Sequence, residues 1–177
     1  MIRLVRSTIL LATLILVSAG ARDVQAQQPA AAPKTPSQAV LENWNDIGKR
    51  LLTMADDWSA DKYSYKLTPA TRSFSQVLLH IAGSNYDLLN RATGTKMGDA
   101  RNDPPDAEYK TKAEVIAFLK KSVDDGAAEI QKEGDAGVLK HLDEWIGYTE
   151  HMGEHYGLLV AYYRANTLVP PESRPKK

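Results

Sequence analysis

Four stretches of the chain carry apolar side chains at spacings of three and four residues, and no stretch of useful length alternates as a strand does. Such spacing puts the apolar groups on one face of a helix, and it leaves little else for the chain to form. In the first stretch, from about Ser37 to Trp58, Val40, Trp44, Ile47, Leu51 and Met54 make the buried face. Pro36 suits the first turn, where its missing N–H costs nothing. The second starts at Ser73, whose side chain with Gln76 forms a capping box, and ends at Gly94. Its stripe is Phe74, Val77, Leu78, Ile81, Asn85, Leu88 and Leu89. The third starts at Thr111, capped with Glu114, and carries Val115, Phe118, Leu119, Val123 and Ile130, with Lys120, Lys121, Asp124 and Asp125 as a solvated face. Gly134 and Gly137 bracket the turn that follows. The fourth runs from about Leu142 to Asn166, with Trp145, Tyr148, Met152, Tyr156, Leu159 and Tyr163 inward, and stops before Pro170-Pro171.

Residues 94–110 lack periodicity and contain Asp103-Pro104-Pro105. So long a connection is uncommon inside a compact domain. The second helix is about 30 Å long, and seventeen extended residues reach about 55 Å. The connection can therefore return along the bundle and let the third helix run parallel to the second. The expected fold is all-α: a four-helix bundle with one long crossover between helices 2 and 3.

The beginning of the chain reads as a targeting segment. Arg3 and Arg6 precede an apolar run from about Ile9 to Val17, and Val24-Gln25-Ala26 offers small residues for cleavage after Ala26. Residues 1–26 are thus expected to be a secretory signal, 27–36 a Pro/Ala-rich flexible lead, 37–173 the bundle domain and 174–177 a tail. The run is short for a span of about 20 residues, so no stable membrane span is expected after cleavage. The protein is expected to be exported, to the periplasm or beyond. It has no cysteine, which excludes disulfides, thiolate ligands and a cysteine nucleophile, so its stability must come from the core alone. The 22 basic and 22 acidic residues balance, and loss of Arg3, Arg6, Arg22 and Asp23 with the signal leaves a small acidic excess. No basic stripe appears, so nucleic acid is not an expected partner.

Chemistry concentrates in the histidines. In "TEHMGEHYG" (149–157), His151 and His155 are four apart, so one helix can aim both rings at the same point. By helical phase they lie on the shoulder of the fourth apolar stripe, and His80 lies on the shoulder of the second. If helices 2 and 4 are neighbours, the three rings can converge. Three histidines with an open position are the donor set of a catalytic metal. The plainer alternative is that each histidine merely satisfies local hydrogen bonds. Residues 151–155 also match H-x-x-E-H, with Glu154 as general base, but that motif needs a further carboxylate ligand well downstream. After His155 the chain offers only Glu172. His141, in the turn before helix 4, reads as a surface residue.

Two blocks carry a family likeness: "KYSYKLTPATRSFSQVLLHIAGSNYDLL" (62–89) and "HMGEHYGLLVAYYRANTLVPPES" (151–173), the latter with HxxxHYG, Y-x-R-x-N and PP in order. They resemble the second- and fourth-helix regions of DinB-like proteins, the DinB/YfiT-like fold. The resemblance spans nearly all of the chain beyond the signal. It implies a four-helix bundle with the long crossover, a metal held by His80, His151 and His155, and a homodimer. Some relatives are thiol-dependent transferases or isomerases of the cytoplasm; the export signal here argues against a cytosolic thiol cosubstrate. Leu158 stands where relatives commonly carry a polar residue.

Two functions follow as expectations. One is a metal-dependent enzyme of hydrolase or transferase type acting on a small molecule, with zinc or nickel as the ion, or else iron or manganese. Tyr86, Glu154 and Tyr156 are its candidate pocket residues, though core tyrosines usually serve packing. The other is a non-catalytic bundle of the cell envelope that binds a metal or ligand or, where the histidines only satisfy local hydrogen bonds, a plain helical bundle that serves as an interaction partner.

Overall fold

Thr35, Ser73 and Thr111 start three helices in the same way. Each side chain accepts from the backbone N–H three residues on, while that residue, Gln38, Gln76 or Glu114, reaches back to the cap's own N–H. A full capping box satisfies two otherwise orphaned donors and fixes where a helix begins. A computed structural model describes residues 33–176. In it α1 spans Pro36–Asp57, α2 Phe74–Thr93, α3 Lys112–Lys140 and α4 Leu142–Ala165. The expected signal, residues 1–26, and most of the expected lead, 27–36, lie outside the described residues. Among those described there is no strand, only an isolated bridge between Lys66 and Ser73, and no helix is long and apolar enough to cross a membrane.

Contacts between named side chains fix the topology. Ser37 meets Asp135, and Lys112 meets the carbonyl of Trp58, so α1 and α3 run antiparallel. Asn85 meets Ser122 on α3, and the turn before α3 lies by Gln76 through Asp106, so α2 and α3 run parallel. On α4, Trp145 packs on Trp44 and Tyr163 bonds the Met54 carbonyl, which makes α1 and α4 parallel. Tyr148 meets Asp87 and Tyr162 meets Arg72, so α2 and α4 are antiparallel. Each of α1 and α2 packs against both α3 and α4. The parallel α2–α3 pair is what the long crossover allows.

Aromatic rings close both ends of the core. Trp44 and Trp145 meet edge-on at 5.5 Å, and the Trp44 indole donates to the Val123 carbonyl at 2.9 Å. At the other end Trp58 stacks on Phe74 with centroids 4.5 Å apart and planes 7° apart, and takes the edge of Tyr163 at 4.9 Å. At the Trp44 end Gly126 lets α3 approach α1: a Cβ would collide with the Trp44 ring. Lys112, the first residue of α3, caps the end of α1 by donating to the carbonyls of Asp56 and Trp58. A cation at that place also suits the negative end of the helix dipole.

One turn differs from expectation. Gly134 takes φ 61° and ψ −167°, a region essentially reserved for glycine, and so breaks the helix as expected. Gly137 does not join a turn. It stays helical, and its carbonyl accepts from His141 at 3.2 Å, so the chain resumes as helix to Lys140 and turns at His141 instead. On the outer side of α3 Lys120 pairs with Asp124 and Lys121 with the half-buried Asp125. Arg174, placed in the tail on sequence grounds, reaches back to hold Asp57 with both ends of its guanidinium, at 2.7 and 2.6 Å.

Candidate metal centre

α2 is buried nearly all round, because it packs on α3 and α4 and lies under the crossover. That places His80 inside the molecule, facing α4. The antiparallel register sets it opposite His151 and His155, one turn apart on α4 and each half-buried. His151 Nε2 lies 3.0 Å from His80 Nε2 and 3.1 Å from His155 Nε2. One nitrogen from each ring falls within 4.8 Å of the others, the only group of this kind among the described residues. Nitrogens that share one zinc at about 2.0–2.1 Å stand roughly 3–4 Å apart, so the two pairs that meet at His151 fit a common ion.

Proton bookkeeping narrows what can sit between them. His80 Nδ1 is 2.7 Å from the Asn102 carbonyl oxygen, which only accepts. Nδ1 therefore carries the hydrogen, and in the neutral ring Nε2 presents its lone pair to the other two. Both short contacts share His151 Nε2, which holds either one proton or one lone pair. Three such nitrogens cohere only around one electropositive centre, either a shared proton or a cation. His151 Nδ1 and His155 Nδ1 are buried without a hydrogen-bond partner among the described residues, so only His80 has the outer acceptor typical of a metal-bound imidazole.

Burial works against a charge on each ring. Burial lowers the pKa of His80, partly offset by its bond to Asn102. Burial and then the neighbouring His80 lower that of His151. His155 falls to about 4 through burial and then the two other rings. Arg72 adds to the depression at all three. Neutral imidazole is the form that ligates metal. In donor type, spacing and protonation the residues present fit a divalent ion.

The family model of the DinB superfamily matches residues 43–162. The chain belongs to the DinB superfamily. No curated protein matches it significantly. The matched segment of this DinB-superfamily chain contains all three histidines and the whole crossover.

The other candidates lie elsewhere. Glu154 is exposed and acts on His151 only through its charge. Tyr86 is buried toward α3, its hydroxyl donating to Asp125 at 2.9 Å and its ring lying against Gly98. Burial and then Asp125 raise its pKa. Tyr156 is half-buried, and the charges around it are Glu172, Arg50 and Asp46 on the α1 side. The inverted protease reading also loses its geometry, since the group that joins His151 and His155 is His80 and not a downstream carboxylate. His141 takes no part in the cluster.

Sequence reasoning missed Tyr148, Asn102, Asp103 and Arg72. Tyr148 is one turn before His151, with ring centroids 6.2 Å apart, and its hydroxyl donates to Asp87 at 2.6 Å. Burial and then Asp87 push that phenol up to about 12. Its spacing of three from His151 was the available signal, and its place in the apolar stripe hid it. Asp103 stands 3.7 Å from His80 Nδ1 and pairs with Arg72. A cleft of about 470 Å³ opens at His151, bordered by Ser84, Asn102, Tyr148 and the carboxylates of Asp87, Asp143 and Glu144.

Proposed function

We propose that this DinB-superfamily protein is exported and binds one divalent cation, zinc or nickel before iron or manganese, through Nε2 of His80, His151 and His155. On this reading it is a metal-dependent enzyme of hydrolase or transferase type that acts on a small molecule. The observation that carries the reading is the meeting of three imidazoles from two helices, with ring nitrogens 3.0 and 3.1 Å apart. The leader-like residues 1–26 support export.

A divalent ion held there would supply Lewis acidity to whatever donor completed its shell. The chain's own residues do the rest. Asn102 fixes which nitrogen His80 offers. Tyr148 and Asp87, tied together and to Arg91, form one wall of the cleft that reaches His151. That cleft is of a size to admit a small molecule. A second reading, a non-catalytic binder, is favoured by one observation: among the described residues Glu154, Tyr86 and Tyr156, the groups first suited to proton transfer, make no hydrogen bond to the three rings.

Metal analysis of the purified protein tests the binding. The wild type is expected to retain about one equivalent of a transition ion and His80→Ala almost none. Equal, negligible content in both would leave only hydrogen-bonded histidines. Assay of the loaded protein against esters, amides and thiol conjugates then separates enzyme from binder. Turnover that persists after loss of all three histidines would remove the catalytic role.

A further inference from the structure

Three consecutive residues of the crossover are fastened to the face of α2 that carries His80. The Arg101 carbonyl lies directly over Gly83, where a Cβ would collide with it. The next carbonyl, of Asn102, accepts from His80 Nδ1 at 2.7 Å. The Asn102 side chain accepts from Ser84 Oγ at 3.4 Å. Asp103 accepts from Nε and Nη2 of Arg72, just before α2, at 2.6 and 3.1 Å. The Arg101 side chain closes the segment on itself through Asp99, at 2.8 Å, and Glu108, at 3.0 Å.

We propose that Arg101, Asn102 and Asp103 form a positioning clamp for His80, so that docking of the crossover sets how tightly the three imidazoles hold their ion. The proposal rests on the reading of those rings as a metal centre. An imidazole without a partner on Nδ1 is free in tautomer, and its ring can turn about χ2; a fixed acceptor removes both freedoms. Here the acceptor is a backbone carbonyl, so its position is set by how the loop is seated. The missing side chain at Gly83 lets that peptide lie flat on the helix. The Arg72–Asp103 pair is half open to water, and exposed ion pairs contribute little. Gly83 and the Asn102 carbonyl are therefore the principal elements, and the ion pair is secondary. Linkage makes the effect mutual: a bound ion must tighten the crossover as much as the crossover tightens the ion.

Zinc affinity of the purified protein, measured by competition with a chelator, tests the clamp. Gly83→Ala is expected to weaken zinc binding 10–100-fold, the usual cost of a lost outer partner. Asp103→Asn is expected to weaken it about 2–5-fold. Tyr63→Phe, which loses a bond to the Ala55 carbonyl far from the site, lowers stability and leaves zinc affinity unchanged. Nitrogen-15 spectra of the His80 ring read the tautomer with or without zinc. The wild type should hold the hydrogen on Nδ1, and Gly83→Ala should show a mixture. Wild-type affinity and an unchanged His80 spectrum in Gly83→Ala would overturn the clamp. Failure of the wild type to bind zinc, nickel, iron or manganese would instead discard the metal reading, and the ring spectra would still decide whether the crossover sets His80.

Discussion

Zinc at about a hundred times its Kd raises the Tm of the wild-type protein by about 5–10 °C, and the same addition leaves His151→Ala unmoved. The expectation is simple linkage. A ligand that binds only the folded chain at that excess adds about 2.7 kcal/mol, and each kcal/mol moves Tm by roughly 2–4 °C in a domain of this size. His151 is the decisive position because both short nitrogen contacts pass through its Nε2. Its removal leaves two imidazoles, one per helix, with no bridge between them. A thermal shift of equal size in the variant would mean that zinc stabilises the fold from another place.

Trp58→Ala is expected to cost about 3–5 kcal/mol, read from urea unfolding at neutral pH. Trp58 is fully buried and sits where α1 ends, stacked on Phe74 of α2 and against Tyr163 of α4. Its indole N–H donates to the Lys62 carbonyl at 2.9 Å, so the loop from α1 to α2 is also anchored on it. Truncation removes the ring that joins three helices and strands a carbonyl. Domains of this kind are stable by only about 5–15 kcal/mol, so the variant should lose a large share of its stability. A loss under about 1 kcal/mol would show that the aromatic end is not what holds the bundle together.

The helices were legible because they rest on local rules. Period and capping box together placed the starts of α2 and α3 at Ser73 and Thr111 without tertiary information. The phase of His80, His151 and His155 was legible for the same reason. What the sequence could not supply was that α2 and α4 are antiparallel neighbours, which turns three shoulder positions into one cluster. Glu154 shows the opposite case. It belongs to a recognisable motif, but its side chain is exposed and reaches His151 only through its charge. The clamp was invisible for a different reason. Its key acceptor, the Asn102 carbonyl, is a backbone group with no residue-type signature, and Gly83 reads as an ordinary helical glycine until the crossover is laid on it.

The most direct measurement is an anomalous difference map from crystals of the zinc-loaded protein, recorded on either side of the zinc edge. The geometry described here predicts one peak about 2.0–2.1 Å from Nε2 of each of His80, His151 and His155. Full zinc loading with the peak elsewhere, and these rings bound only to one another, would contradict it.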